Sequence, residues 1–389
     1  MSSQKLVLLV SLILLAGVGL SVSPNHVPPA HSATVSVGTP MNLKAPLGLP
    51  PVPIPADNPL TAEKIALGRK LYYDPTLSVD NTIACASCHS PASGFTDPKP
   101  FSVGTGGKAG GRHAPTVLNA AYNAVQFWDG RAPSLEKQAE GPVQNPVEMA
   151  NALPAVERKL TADAAYRAEF EKAFGPGPIT YEKVEQAIAS FERTVISGNS
   201  PFDRYFYGGD KSALSPSARR GLEVFRNPKK GNCAACHTIG ETYALFTDHK
   251  FHNIGVGADS EDNYKDLGRY NVTHNEADKG AFKTPTLRNI AKTAPYMHDG
   301  NLKTLKDVVD FYIGGGNSNP HLDKEIHALD FLTGPERADL KAFLESLTGE
   351  MPRYIGPLPG LERSPVVKAR TAAHWATEGP FFGFPMKSR

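Results

Sequence analysis

The residues with the most evident chemistry are four cysteines, which occur as two copies of one short pattern. Cys85-Ala-Ser-Cys88-His89 and Cys233-Ala-Ala-Cys236-His237 both have the form Cys-x-x-Cys-His, and together they use every cysteine of the chain. This pattern is the attachment signal for c-type haem, in which two thiols bond to the haem and the histidine binds the iron. The sequence therefore predicts two covalently bound c-type haems, with His89 and His237 as iron ligands.

Zinc binding and disulfide formation are the alternative uses of such cysteines. A zinc finger with two cysteines and two histidines requires a separated pair of histidines, and a four-cysteine zinc site needs no histidine after each pair. A thioredoxin-like redox pair also has no need of a histidine at the fifth position. Because both copies keep that histidine, the pattern favours haem attachment.

The composition limits the classes of function. The 389 residues carry a formal net charge of +2, so no general attraction to nucleic acid or to an anionic membrane is expected. Glycine and proline are abundant, with 35 and 34 residues. This abundance indicates short helices joined by long loops, as expected where a haem supplies part of each core. No phosphate-binding loop or dinucleotide fingerprint stands out.

The N-terminal segment has the features of an export signal. Lys5 precedes an almost wholly apolar stretch at 7–20, which is short for a membrane-spanning helix and typical of the core of a signal peptide. We expect residues 1–33 to be a signal peptide or, alternatively, an uncleaved N-terminal anchor. Both interpretations place the folded chain outside the cytoplasmic membrane, so the predicted location is the periplasm.

A helix, a loop and a haem pattern occur in that order twice. Thr61 is the predicted N-cap of a helix that extends to Tyr73, ahead of the first haem pattern. Ser215 and Pro216 begin a second helix, ahead of the second pattern. Helical spacing and capping signals predict three further helices, at 181–197, at 304–313 and after Thr333. The predicted fold is mainly α, with two cytochrome c-like domains.

The predicted domain order follows from this repeat. We expect a Pro-rich tether at 34–56 and a Pro-rich C-terminal extension at 351–389 that covers part of the surface. The first cytochrome c-like domain is predicted at 57–200 and the second at 201–350, each with one covalent haem.

Longer motifs lie around and between the two haem patterns. They are Phe127-Trp-Asp-Gly-Arg131, Asn145-Pro-Val-Glu-Met149, Ala114-Pro-Thr-Val-Leu-Asn119, Phe282-Lys-Thr-Pro-Thr-Leu-Arg-Asn289 and Thr293-Ala-Pro-Tyr-Met-His-Asp-Gly300. With these motifs in this order, residues 60–350 resemble the bacterial di-haem cytochrome c peroxidase family, which includes MauG. The resemblance implies two cytochrome c-like domains whose haems face the domain interface.

The resemblance also implies roles for three residues. In the family, the first pattern carries the haem that reacts with peroxide and the second carries the electron-transfer haem. Trp128 matches a tryptophan that lies between the haems, while Gln138 and Glu148 match residues that line the peroxide pocket. A carboxylate there moves a proton from one peroxide oxygen to the other, and an amide holds the peroxide without titrating. The alternatives are a core aromatic for Trp128 and a helix-capping or solvated Glu148.

At two positions that bind haem iron in typical family peroxidases, this chain has a different residue. Typical family peroxidases place a methionine on the second haem where this chain, like MauG, has Tyr312. The alternative is that Tyr312 is a core aromatic and Met297 binds the iron. Peroxidases that need reductive activation have a distal histidine on the first haem where this chain has Thr105. We therefore expect an open first iron, with His113 as the rival ligand.

Further positions follow from the same resemblance. A calcium ion between the haems is bound largely by backbone carbonyls, which suit this hard cation. The matching positions are His113, Thr293 and Pro295, although the family often has Asn where this chain has His113. Asp129 and Arg131 are expected to form an internal ion pair that fixes the tryptophan segment, with a solvated pair as the alternative. We expect His249 and His252 to make hydrogen bonds in their loop, without binding metal.

The sequence thus predicts a periplasmic di-haem peroxidase, a MauG-like variant, that reduces hydrogen peroxide to water. The expected electron donor is a small redox protein, either a c-type cytochrome or a cupredoxin, or else a protein substrate, and a homodimer is allowed. MauG has a surface tryptophan where this chain has Gly231, so its route to a protein substrate is not expected here. The alternative is a di-haem electron carrier without peroxide turnover, which would have no need of Gln138 and Glu148.

Overall fold

Short helices joined by long loops dominate the structure, a computed structural model that describes residues 37–352 and residue 356. The α-helices in chain order are α1 (Ala62–Tyr73), α2 (Cys85–Cys88), α3 (Leu135–Gln144), α4 (Leu153–Ala162), α5 (Ala164–Phe174), α6 (Tyr181–Glu192), α7 (Pro201–Phe206), α8 (Pro216–Arg226), α9 (Tyr270–Thr273), α10 (Leu305–Ile313) and α11 (Gly334–Glu345). Strands β1 (Phe251–His252) and β2 (Phe282–Lys283) form one antiparallel pair. The predicted mainly α fold is confirmed.

The predicted helix starts are confirmed by side-chain caps. The hydroxyl oxygens of Thr61, Ser215, Thr304 and Thr333 each accept a hydrogen bond from the backbone N–H three residues later. Such caps satisfy N–H groups that have no partner inside the helix. The sequence signals therefore locate the starts of α1, α8, α10 and α11.

Helix α6 ends five residues before its predicted end at 197. After Glu192 the chain bonds to a loop of the first half: the Asn119 N–H donates to the Val195 carbonyl at 2.9 Å, and the Ser197 N–H donates to Asn119 Oδ1 at 2.9 Å. These contacts compete with the helical hydrogen bonds and draw the backbone out of the helix. The apolar side chain of Val195 still reaches the core.

Two helix pairs form the main packing contacts, and each contact depends on a glycine. Helix α1 packs on α6, and α8 packs on α11. A β-carbon at Gly68 would overlap the carbonyl group of Ala187, and one at Gly221 would overlap that of Asp339. Both crossings therefore bring backbones too close for any larger residue.

The buried apolar residues form separate clusters on either side of residue 200. One large cluster contains apolar residues between 67 and 188, with a smaller neighbour that includes Phe95 and Phe191. Another contains residues between 202 and 347. The division is compatible with the predicted domains at 57–200 and 201–350, whose boundaries stay a prediction.

The segment at 37–56 does not form the free tether that its composition predicts. Leu49 and Val52 are each 9% exposed and pack with Tyr122. The Gly48 carbonyl accepts a hydrogen bond from Arg288 Nη2 at 2.5 Å. A proline-rich backbone is extended but can still bury the apolar side chains between its prolines, so the tether prediction is wrong for these residues.

The predicted terminal segments are described only in small part. Residues 1–33 and most of 351–389 lie outside the described residues. At the C-terminal end, the Gly356 carbonyl accepts a hydrogen bond from Arg69 Nε at 2.5 Å. Across residues 37–352, no helix has both the length and the apolar character that crossing a membrane requires.

Candidate haem sites

The first Cys-x-x-Cys-His pattern lines a cavity of about 420 Å³. Helix α2 is a single turn, and the His89 N–H donates to the Cys85 carbonyl at 3.0 Å. This turn brings Cys85, Cys88 and His89 to the wall of one cavity. His89 Nδ1 lies 2.9 Å from the Pro115 carbonyl oxygen, which orients the ring and leaves Nε2 for an iron. Burial lowers the pKa of His89, which favours the neutral, metal-binding form.

The second pattern repeats this geometry at another cavity, of about 260 Å³. The His237 N–H donates to the Cys233 carbonyl at 2.9 Å, and Cys233, Cys236 and His237 all line the cavity. His237 Nδ1 lies 2.9 Å from the Phe246 carbonyl oxygen. Burial lowers the pKa of His237 as it does that of His89. Both sites thus present two thiols and one oriented imidazole to an enclosed space.

This donor set fits c-type haem better than the alternatives. All four cysteines are free thiols, so none is used in a disulfide. Within the described part of the chain, one group of three metal-binding side chains comes together, Cys236, Asp248 and His252. It has a single cysteine and does not match a four-ligand zinc site. Apolar side chains such as Leu305, Val309 and Leu340 line the second cavity and suit the face of a porphyrin.

The predicted peroxide-pocket residues lie in the wall of the first cavity. Trp128, Gln138 and Glu148 line the same space as Cys85 and His89. Gln138 lies on α3, whose N-cap is Ser134. Glu148 lies in the loop after that helix and does not cap one. The chain therefore brings an amide and a carboxylate to the cavity that holds the first haem pattern.

Asn145 fixes the position of Glu148. The Asn145 side-chain amide donates to Glu148 Oε1 at 2.7 Å, and the Asn145 carbonyl accepts from the Glu148 N–H at 3.0 Å. Burial raises the pKa of Glu148, while the hydrogen bond from Asn145 and the charge of Arg131 act in the opposite direction. The net shift is upward, so protonation of this carboxyl is easier than in water.

Trp128 lies in the walls of both cavities. Its indole N–H donates to the His113 carbonyl at 2.8 Å, and its own carbonyl accepts from the Lys283 N–H at 2.8 Å. The neighbouring Asp129 makes the predicted ion pair with Arg131 at 3.0 Å. It also pairs with Arg112 at 2.6 Å, which the sequence did not indicate. These contacts hold the tryptophan between the two cavities.

The candidate ligands of the second iron are both present in its cavity. Tyr312 lies on α10, and both Tyr312 and Met297 line the cavity with His237. Burial raises the pKa of the Tyr312 phenol, as expected for a hydroxyl removed from water. The position of Tyr312 on the predicted helix is confirmed, and the choice between the two ligands stays a prediction.

The candidate distal residues of the first site make other contacts. The Thr105 N–H donates to the Glu148 carbonyl at 2.7 Å, and Thr105 is not part of the lining of the first cavity. His113 lines both cavities, but its Nε2 lies 3.0 Å from Thr96 Oγ1 and its Nδ1 lies 3.1 Å from the Lys99 carbonyl oxygen. With both ring nitrogens engaged, His113 is poorly suited to be the rival iron ligand.

The positions predicted to bind calcium lie along the second cavity. His113, Thr293 and Pro295 all contribute to its lining. The His113 carbonyl already accepts the indole N–H of Trp128, which leaves one lone pair for a cation. The carbonyls are therefore compatible with calcium, and the calcium site stays a prediction.

The hydrogen bonds predicted for His252 are confirmed. Its Nδ1 lies 2.6 Å from Asp323 and its Nε2 lies 2.9 Å from Asp248, so two carboxylates hold the ring. By contrast, the buried Nδ1 of His249 has no hydrogen-bond partner among the described residues. The prediction of loop hydrogen bonding is therefore not met at that nitrogen.

The residues of the cavity walls that the sequence did not indicate include two buried ionisable side chains, Glu192 and Lys283. Glu192, 6% exposed, lines the first cavity, and burial raises its pKa to about 8. Its signal was a carboxylate four residues after Ile188 on an apolar helix face. Lys283, 8% exposed, lines the second cavity. Its signal was a lysine within the Phe282–Asn289 motif, which does not by itself indicate burial.

Comparisons with known proteins give a consistent result. The family model for di-haem cytochrome c peroxidase matches residues 62–212. The methylamine utilization protein MauG of Methylorubrum extorquens is 43% identical over 302 residues, which cover 77% of this chain and 82% of that protein. The cytochrome c551 peroxidase of Nitrosomonas europaea is 38% identical over 309 residues, which cover 79% and 86%.

Solved structures show the same fold. A MauG-like protein associated with microbial copper homeostasis aligns with a TM-score of 0.72 and 32% identity, over 84% of this chain and 98% of that one. The di-haem peroxidase BthA from Burkholderia thailandensis aligns with a TM-score of 0.63 and 24% identity, over 81% and 96%.

Proposed function

This chain belongs to the di-haem cytochrome c peroxidase family, a family of oxidoreductases, and on that premise we propose that it reduces hydrogen peroxide to water in the periplasm. The observation that carries the proposal is that Gln138 and Glu148 line the same cavity as Cys85, Cys88 and His89. An electron carrier needs no carboxylate–amide pair beside an iron. The alternative of a carrier without turnover is therefore less favoured.

The chain would hold one c-type haem at each pattern, through two thioether bonds and one histidine. When bound, the first haem would supply an iron for peroxide, and the two haems would pass on the two electrons from the donor that reduction to water requires. We propose that the two haems occupy cytochrome c-like domains at 57–200 and 201–350 and face the interface between them. The separate apolar clusters on either side of residue 200 support this arrangement.

Glu148 and Gln138 perform complementary tasks at the first site. The Glu148 carboxylate accepts a proton from one peroxide oxygen and returns it to the other, so that water can leave. A raised pKa makes the carboxylate a better base for the first half of this transfer, and it brings the carboxyl closer to the working pH, where a group can both accept and return a proton. Asn145 keeps the carboxylate in place through its 2.7 Å hydrogen bond. The Gln138 amide holds the peroxide without exchanging protons.

Trp128 is suited to relay electrons between the two sites. Its ring borders both cavities, and hydrogen bonds on its indole N–H and its carbonyl restrict its movement. Calcium bound by the carbonyls of His113, Thr293 and Pro295 would add rigidity to the same region. Tyr312 would be the second ligand of the iron bound by His237.

The electron donor is proposed to be a small redox protein, a c-type cytochrome or a cupredoxin, or a protein substrate. No nucleic acid is expected to bind. The similarity of this chain both to a MauG protein and to a cytochrome c551 peroxidase supports this range of partners. A homodimer is part of the same family-based proposal.

The test compares the two haem patterns in purified holoprotein. Wild type should contain two haems per chain and consume peroxide when supplied with a reduced donor. The double variant Cys85→Ala with Cys88→Ala should halve the haem content and abolish turnover, because the first site can then no longer react with peroxide. Cys233→Ala with Cys236→Ala is the matched control: it should also halve the haem content, but leave the first site able to react with peroxide once. Wild type with two haems and no turnover would favour the electron carrier.

A further inference from the structure

A buried lysine without a counter-charge borders the second cavity. Lys283 ends β2 and is 8% exposed. Across the described residues, no carboxylate and no hydrogen-bond acceptor is bound to its Nζ. The nearby Lys279, in contrast, pairs with Glu276 at 2.7 Å and with Asp262 at 3.3 Å. A buried ammonium without a partner is costly, so it indicates an anion that completes the site.

No carboxylate of the described residues is bound to Lys283 as this anion. Asp323 and Glu325 of the same cavity wall and Asp248 of the adjoining loop have other partners: Asp248 and Asp323 hold His252, and Glu325 accepts from Asn232. On the same strand Phe282 is apolar, and on the paired strand Phe251 lies opposite Lys283. From the loop before β1, the imidazole of His249 is close enough for the lysine charge to lower its pKa. Burial alone accounts for the lowered pKa of Lys283, about 8, and no carboxylate offsets it. The charge of Asp248 also acts on His249, but that carboxylate is hydrogen-bonded to His252, so among the described residues Lys283 has no carboxylate bound to it.

The position of Lys283 indicates where the anion would come from. The Lys283 N–H donates to the Trp128 carbonyl, and Trp128 borders both cavities. Lys283 itself lines only the second of them. A haem carries two carboxylates on its edge, and these must be compensated wherever they are buried. In the proposed holoprotein the second haem would bring carboxylates to this cavity, whereas the carboxylates of its wall, Asp323 and Glu325, already have other partners.

We propose that Lys283 binds a carboxylate of the second haem and so seats that haem against the Trp128 segment. The inference rests on the proposed haem at Cys233, Cys236 and His237. A charge-assisted hydrogen bond from an ammonium to a carboxylate is short and about twice as strong as a neutral one. It would also place a positive charge at the edge of the second haem. Because reduction adds an electron to the haem, that charge favours the ferrous form.

The first test is the structure of the holoprotein. Lys283 Nζ should lie about 2.7–2.9 Å from an oxygen of a second-haem carboxylate. A nitrogen more than about 4 Å from both carboxylates, beyond the reach of an ion pair, would overturn the proposal. This measurement uses wild type and so does not depend on how any variant folds.

The second test is the midpoint potential of the second haem, measured by spectroelectrochemistry. Lys283→Met removes the charge and should lower the potential by at least 59 mV, which is a tenfold change in the ferric-to-ferrous ratio. Lys283→Arg keeps the charge, so its midpoint potential should differ from that of wild type by less than half that change. Lys250→Met is the control, because Lys250 is an exposed lysine of the same region. Equal shifts in Lys283→Met and Lys250→Met, or none in either, would overturn the proposal.

The outcomes separate this inference from the proposed function. Two haems with the predicted Lys283 contact but no peroxide turnover would contradict the peroxidase and support the carboxylate site. Peroxide turnover in a holoprotein whose Lys283 lies far from both carboxylates of the second haem would support the peroxidase and contradict the carboxylate site.

Discussion

At Glu148, burial and hydrogen bonding act on one carboxyl in opposite directions. Burial raises its pKa, whereas Asn145 and Arg131 stabilise the charged form. The net shift is upward, toward easier protonation, at a group that acid–base catalysis requires to accept and to release a proton. The identity of this residue could be predicted from the family motif, but the opposing contacts could not.

Tyr312 is the residue for which the sequence predicts the largest departure from ordinary family peroxidases. As an anionic oxygen ligand it would favour ferric iron, so Tyr312→Met should raise the midpoint potential of the second haem. The same variant should improve turnover with a cytochrome donor. Met297→Leu is the matched test of the alternative ligand and should leave the potential unchanged. If only Met297→Leu alters the potential and the spectrum, Met297 is the ligand.

Glu192 gives a pH-dependent prediction. Its pKa is about 8 in the folded chain against a usual value of 4.5, because it is buried. Between these values the folded chain keeps a proton that the unfolded chain has lost, so the free energy of unfolding falls as pH rises. Glu192→Gln removes this penalty. It should stabilise the protein by on the order of a few kcal/mol at pH 8 and by little at pH 5.

Chemical unfolding of the holoprotein at both pH values measures this difference. Glu182→Gln is the control, because Glu182 is an exposed carboxylate of the same helix. A stabilisation by Glu192→Gln that does not depend on pH would show that Glu192 is not protonated in the folded chain.

The starts of helices could be predicted from local sequence signals, whereas features that depend on tertiary contacts could not. The N-caps at Thr61, Ser215, Thr304 and Thr333 are readable from the sequence because a cap acts within three residues. The end of α6 could not be predicted from the sequence, because it depends on Asn119, which is more than 70 residues away in the chain. The packed segment at 37–56 was missed for the same reason: composition does not reveal which apolar side chains find a partner.

The close approach of backbones at the α1–α6 crossing can be tested by adding one methyl group at Gly68. In Gly68→Ala, the gain in helix propensity of about 1 kcal/mol is opposed by overlap with the Ala187 carbonyl. Overpacking typically costs about 1–3 kcal/mol, so we expect net destabilisation in chemical unfolding. Gly334→Ala on α11 is the control, because no atom lies within 4 Å of its added β-carbon. Equal stability of the two variants would mean that the crossing relaxes freely.

At the scale of the whole molecule, ion pairs connect parts of the chain that the sequence keeps far apart. Arg112 pairs with Asp129 beside Trp128 and also with Asp266, each at 2.6 Å. Arg269 donates to the Asp129 carbonyl at 2.8 Å. Residues of the second half thus hold the tryptophan segment of the first. The motif predicted the Asp129–Arg131 pair because its members are two residues apart, but the long-range partners required the fold.

The haem patterns and the pocket residues were predictable for a different reason. Cys-x-x-Cys-His carries its chemistry in five adjacent residues. Gln138 and Glu148 were found only through the family resemblance, since no local pattern marks a peroxide pocket. The signals at Glu192 and Lys283, a carboxylate on an apolar helix face and a lysine within a motif, do not by themselves indicate burial, which depends on helices and strands that pack around the cavities.

We expect the first cavity to be a peroxide site in which Glu148 moves the proton. Its most direct test is steady-state peroxide turnover of Glu148→Gln in holoprotein with two haems per chain, with Glu182→Gln as the control. Loss of a general acid–base group typically lowers the rate about 100- to 10,000-fold, and we predict a loss in that range for Glu148→Gln alone. A rate within about threefold of wild type, far below the effect of such a group, would show that Glu148 does not move the proton.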